Sequence, residues 1–230
     1  MAIGIQIRPH QKLYLRDPQD TKLGRNILKA SIILIEELGI EAFTFKKLAE
    51  KIESTEASVY RYFENKHLLL IYLVTWYWEW VSYQIEINTL NVEDTQKKLL
   101  IAIKTLVEAS RENPAIEYIN ESILHRIVIA EGVKAYHTKQ VDEENKDGFF
   151  KSYKSLCKKI ADIILEVKSD FQYPAALASS LFDMANNHIY FAEHFPRLTE
   201  VTVKDGDLSE VIQFLNYVAC NSLGLNLDNT

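Results

Sequence analysis

A chain of 230 residues with 47% hydrophobic and 25% charged side chains can bury a sizeable core, which excludes a disordered polypeptide. Its seven glycines are scattered, with no two close enough for a phosphate-cradling loop, so GxGxxG and P-loop nucleotide sites are excluded. The net charge of −6 is unevenly spread: residues 1–67 hold 11 Lys and Arg against 9 Asp and Glu, and the remainder is clearly acidic. A mildly basic front on an acidic body suits a small nucleic-acid reader attached to a body that keeps away from phosphates.

Cys157 and Cys220 stand outside any CxxC spacing and read as small apolar side chains in a reducing compartment. No apolar run approaches the roughly 20 residues of a membrane span, and no apolar leader follows a charged start. A cytoplasmic protein with no membrane association is expected. The six histidines are dispersed. A di-iron bundle needs two ExxH motifs, and only Glu64 with His67 makes one, so neither metal nor cofactor is expected.

In chain order, residues 1–20 form an N-terminal arm carrying Arg8, Lys12 and Arg16, with Lys22 and Arg25 just beyond. Either it reaches into a minor groove or it is a free tail without function. Leu23, Ile27, Ala30, Leu34 and Leu38 then step by three and four, and Gly39 supplies a helix stop. Leu48, Ala49 and Ile52 give an apolar face to a short helix from near Phe45. Thr55 is suited to cap a second short helix, which Val59 and Phe63 anchor. Asn65 caps a long helix that follows. Two short helices joined by a tight turn and braced by a preceding helix make a helix-turn-helix, placed at 21–67.

Further helices follow. Leu99, Ile103 and Leu106 mark one, and Pro114 is placed to open the next, with Ile116, Ile119, Ile123 and Ile127 on one face. The segment Asp142-Glu143-Glu144 reads as a solvated loop. Phe150, Tyr153, Leu156, Ile160, Ile163 and Val167 mark a helix, Pro174 opens one running to Phe195, and Leu208 to Ser222 completes the last. Only 199–203 alternates in a strand-like way. The fold class is all-α: a three-helix DNA-binding domain followed by a larger helical ligand-binding and dimerisation domain over 68–230.

The stretch 44–66, TFKKLAEKIESTEASVYRYFENK, resembles the DNA-binding module of the TetR family of bacterial transcription regulators. The resemblance rests on Gly39, Phe43-Thr44, Leu48-Ala49, Ser58-Val59-Tyr60, Tyr62-Phe63 and Asn65-Lys66. It implies phosphate contacts from Thr44, Tyr60, Tyr62 and Lys66, with Thr55 and the amides of the reading helix beside them. It implies base-facing positions at Lys46, Glu56, Ala57, Ser58 and Arg61. Where the family commonly has glycine in the turn, this chain has Glu53, followed by Ser54 in place of an apolar residue. A glutamate resists the left-handed conformation, so a longer turn or an altered inter-helix angle is expected.

In the body, Trp76, Trp78 and Trp80 cover several faces of one helix and are not expected to share one core. Trp76 and Trp80, with Tyr118, His125 and Tyr153, are the candidate walls and polar fixtures of an effector pocket, or else ordinary core residues. The helix 174–195 is apolar on two faces. Its small-sided stripe through Ala178, Phe182, Ala185 and Ile189, with Phe214 and Tyr217 on the last helix, is the expected homodimer interface. The resulting function is a DNA-binding transcription regulator and not an enzyme, a repressor released from its double-stranded operator by a small-molecule effector. The alternative is a helical small-molecule or lipid-binding bundle, or an enzyme, with a vestigial reader.

Overall fold

The computed structural model describes residues 7–109 and 116–225. Among them run ten α-helices: α1 Lys22–Ala42, α2 Phe45–Lys51, α3 Glu56–Tyr60, α4 Lys66–Thr89, α5 Thr95–Glu108, α6 Glu121–Glu131, α7 Val141–Asp147, α8 Lys151–Val167, α9 Pro174–His194 and α10 Ser209–Leu223. The described residues contain no strand. The 199–203 segment gives way to a turn at Asp205 and Gly206, closed by a single bridge between Lys204 and Asp207. No described helix is long and apolar enough to cross a membrane.

The chain divides into two compact units. One takes residues 7–79 and 116–152, the other 80–109 and 153–225. In the first unit, α1 packs along α6, against α2, and against the short turn Pro18–Asp20 that precedes it. Local chemistry sets each start: Thr21 caps α1 through the Gly24 amide, Thr44 caps α2 through Lys47, and Asn120 caps α6 through Ile123. The Asn120 cap moves the start of α6 past the expected point. Residues 116–120 are not helical, Tyr118 lies in a turn, and Pro114 lies outside the described residues.

The arm is not a free tail from Ile7 onward. Leu13 is fully buried, and the Leu15 amide donates to the Tyr62 carbonyl at 2.8 Å. Gln19 is buried as well. Its Nε2 donates to the Ile7 carbonyl and to the Tyr72 hydroxyl (3.0 Å), while its Oε1 accepts from Tyr118 (2.8 Å). A Cβ at position 24 would stand 2.2 Å from the Pro18 carbonyl oxygen, so only glycine lets the arm lie this close to α1. The buried apolar residues Ile7, Pro9, Leu13 and Pro18 offset the ordering entropy that a wholly polar tail could not.

The acidic segment 142–144 is helical rather than a loop. Within α7, Glu144 turns inward and meets His67 Nε2 at 2.7 Å. All three tryptophans are about 1% exposed. A helix that is apolar on every side is buried on every side.

In the second unit, α5 packs against α9 and α10, and α9 against α10. Ion pairs of Lys98 with Glu166, Lys158 with Asp162 and Lys159 with Glu86 cover an open groove of about 400 Å³ beside α8. Burial pushes the free Cys157 thiol up to about 11 and Cys220 also upward, so both stay neutral thiols at physiological pH.

Candidate DNA interface

The helix-turn-helix is built from α2, the four connecting residues 52–55 and α3. Glu53 accepts the strained role directly, with φ at +51°. Its amide donates to the Glu50 carbonyl (3.3 Å) and the Ser54 amide to the Ala49 carbonyl (2.9 Å), the paired bonds of a Schellman ending. The turn closes on these two bonds with Glu53 itself in the left-handed position. The carboxylate side chain tolerates the left-handed conformation at a cost of roughly 1–2 kcal/mol.

Thr55 then caps α3 through the Ser58 amide, and the two hydroxyls share a 2.8 Å bond. Val59 and Phe63 are fully buried and fix the helix to the core. The opposite side is open: Thr44, Lys46, Thr55, Glu56, Ala57, Tyr60 and Arg61 are exposed, with Ser58 half-buried. Tyr60 is 47% exposed, with its ring held edge-on against Phe45 at 5.0 Å, so the phenol is pinned at one end and presented at the other. Among the described residues Lys46, Glu56 and Arg61 make no hydrogen bond or ion pair. Uncommitted donors on an exposed short helix can meet base edges and phosphates in a groove about 12 Å wide.

Two expected phosphate contacts are engaged elsewhere. Tyr62 is 2% exposed, and its hydroxyl lies 2.7 Å from Thr21 Oγ1 at the start of α1. The Lys66 ammonium donates to the carbonyls of Ile40 and Glu41, both at 2.9 Å, and of Phe43 at 3.4 Å. It satisfies the orphan carbonyls where α1 breaks at Gly39 (φ +71°, ψ 158°). The signal for this was in the chain: a glycine stop leaves carbonyls in need of a donor, and a lysine follows in the next long helix.

The candidate effector residues are split between the units. In the first, Trp76 is buried, Tyr118 donates to Gln19, and His125 stacks on Tyr77 with ring centroids 5.3 Å apart and planes at 12°. Sequence reasoning missed Tyr77. It is wholly buried, its hydroxyl has no hydrogen-bond partner, and burial holds that phenol far above its ordinary range. In the second unit, Trp80 Nε1 donates to the Ala109 carbonyl at 3.0 Å and its ring stacks near Tyr83. Tyr153 lies against Phe182, with its hydroxyl 3.5 Å from Asp183.

The expected dimer stripe faces inward. Ala178, Phe182, Ala185 and Ile189 are all 5% exposed or less within the single chain. Small side chains let α9 approach its own neighbours closely, which is why the stripe read as an interface. The outward face carries Phe195 (50% exposed) and Tyr217 (57%), with Met184, His188, Phe191 and Phe214 half-buried between them.

Residues 27–73 match the family described as "Bacterial regulatory proteins, tetR family". No curated protein matches the sequence. Among solved structures, a regulatory protein in the tetR family from Rhodococcus RHA1 is similar over 90% of this chain and 99% of its own, at 15% identity and TM-score 0.62. The fatty acid degradation regulator FadR from Bacillus halodurans is similar over 86% and 97%, at 15% identity and TM-score 0.57. AibR, solved in complex with isovaleryl coenzyme A and operator DNA, is similar over 86% and 97%, at 15% identity and TM-score 0.53. The matched segment thus spans the helix-turn-helix, and along nearly its whole length the chain shares the fold of solved tetR-family regulators.

Proposed function

We propose that the chain represses transcription as a homodimer and leaves its operator when a small molecule enters the helical body. The observation that carries this reading is one exposed surface formed by Lys46 at the start of α2 with Tyr60 and Arg61 at the end of α3, where Val59 and Phe63 lock the buried side. Thr44, Thr55, Glu56, Ala57 and Ser58 complete that surface. A five-residue reading helix covers one half-site, so specific binding needs two readers about 34–36 Å apart, one per protomer.

The apolar outward face of α9 and α10, with Phe214 and Tyr217, supports pairing of two protomers through those helices. For the effector, the support is chemical. A buried phenol without a partner costs about 1–3 kcal/mol, and Tyr77 carries one beside His125. Ser31 and Thr75 add two further buried hydroxyls without partners in the same unit. An apolar molecule with a few acceptor atoms would satisfy such hydroxyls, and Trp76, Tyr118 and His125 of the same unit are its candidate contacts. Trp80 and Tyr153 are candidate contacts in the second unit. AibR was solved with isovaleryl coenzyme A, so short acyl thioesters are the first compounds to try.

The test is a genome-wide map of DNA bound by the protein, followed by titration of the recovered sequence with acyl thioesters and other apolar compounds. Salt-dependent binding at one or a few sites, abolished by one compound class, is the expected result. Binding that no compound weakens would remove the effector from the reading.

A further inference from the structure

From the way the arm is fastened, we propose that Arg16 is an additional DNA-backbone contact, held beside the end of the reading helix. This rests on the reading that α3 meets DNA. The arm's cations fall into two groups by what they touch. Lys12 is paired with Asp147, and the Arg25 guanidinium donates to the Gln19 carbonyl at 2.6 Å. Arg16 is exposed, and its guanidinium lies over the Tyr62 ring, 5.6 Å from the centroid, with no hydrogen bond or ion pair among the described residues.

Its position is set from both sides. The Leu15 amide bonded to the Tyr62 carbonyl fixes the residue before it, two residues beyond the end of α3. Pro18 and Gln19, buried against α1, fix the residues after it. A guanidinium stacked on a ring uses its face, while its N–H donors point outward in the plane, as a forked contact to a phosphate requires. Tyr62 cannot supply that contact, because the ring is covered and the hydroxyl is turned to Thr21. The cation above the ring therefore presents charge where the tyrosine itself does not reach. The ligand is a phosphodiester of the duplex backbone flanking the groove that α3 enters.

The probe is a fluorescein-labelled mixed-sequence duplex of about 30 base pairs, titrated by anisotropy at several salt concentrations. A phosphate contact acts on every sequence, so the operator need not be known. Arg16→Ala should weaken binding and reduce the slope of log K against log salt by about 0.9 for each phosphate released. Arg16→Lys, which keeps charge but loses the fork and the stacking, should retain most of that slope and bind more weakly than wild type. Thermal melting of each variant separates loss of contact from loss of fold. An unchanged slope in Arg16→Ala, with wild type binding in a salt-dependent way, overturns the assignment and leaves the DNA-binding reading intact. A loss confined to A·T-rich duplexes also overturns it, because it would place Arg16 in the minor groove rather than on phosphate. Wild type that binds no duplex at all fails the underlying reading instead.

Discussion

The ammonium of Lys66 lies 2.9 Å from the carbonyl oxygen of Ile40, so the first turn of α4 closes the broken end of α1. With Glu41 and Phe43 also accepting, all three of its donors are used inside the protein. Hydrogen bonds to a charged group contribute about 1.5–3 kcal/mol. Lys66→Ala should therefore lower stability by an amount in that range, measured by urea unfolding, and weaken DNA binding mainly through the loosened reader. A variant as stable as wild type, with the salt slope reduced by one, would return Lys66 to the phosphate backbone.

Glu53 offers the opposite experiment. A glycine placed at φ +51° removes the steric cost of the left-handed turn, although it also gains freedom in the unfolded chain. Glu53→Gly should stabilise the protein by up to about 1 kcal/mol. A fall in the melting temperature would show that the Glu53 side chain contributes more than its backbone conformation costs.

Arg61 is exposed beside the end of α3 and carries no partner among the described residues. If it reads a base, Arg61→Ala should relax preference at particular base pairs of the operator by about 1–3 kcal/mol each, measured against single-position variants. A uniform loss over all variants would make it a phosphate contact.

Tyr217 and Ala185 separate pairing from folding. Tyr217 is 57% exposed in the single chain and Ala185 is 2% exposed. Tyr217→Glu should give a folded monomer by sedimentation, whereas Ala185→Glu buries an unpaired charge in the protomer and should unfold it. A dimer of unchanged affinity in Tyr217→Glu would move the interface away from this face.

His188 gives the stability curve an acid limb. Burial lowers its pKa below 6.5, its ring lying 4.5 Å from that of Phe214 and 5.8 Å from that of Phe191, while Glu200 acts weakly the other way. The unfolded chain then binds more protons just below pH 6.5, so this contribution is complete above that pH and is lost as pH falls through the window beneath it. Unfolding midpoints should drop between pH 7.5 and 5.5, and the drop should be smaller in His188→Gln. His10, also shifted downward by burial, accounts for a remaining part.

Periodicity and caps were enough to read most helices, because α1, α8 and α10 each announce themselves by one apolar stripe and α9 by its opening proline. The helix-turn-helix was legible down to Thr55 as a cap. What could not be read was which side of a two-faced helix a neighbour covers. The stripe through Ala178 and Ala185 packs inward, and only tertiary contacts decide that. The arm was illegible for the same reason, since Leu13 and Gln19 are ordinary in sequence and acquire their roles from Tyr62, Tyr72 and Tyr118. Tyr62 and Lys66 match the family motif yet are spent on α1, because a motif records positions and not the hydrogen bonds that occupy them.

The break at Gly39 bears on how this protein could be re-engineered. It frees the Ile40 amide, which donates to Glu131 Oε1 at 3.2 Å at the end of α6, and Lys134 braces the same carboxylate at 2.7 Å. The corner of the reader is thus completed by a residue 91 positions further along the chain. A chimera that transplanted residues 21–67 onto a foreign body would arrive with that amide unpaired, without Gln19 and its Tyr72 partner, and with Glu144 missing from its place beside His67. The piece that can be moved is discontinuous, and a designer would have to carry α6 and α7 with the reader.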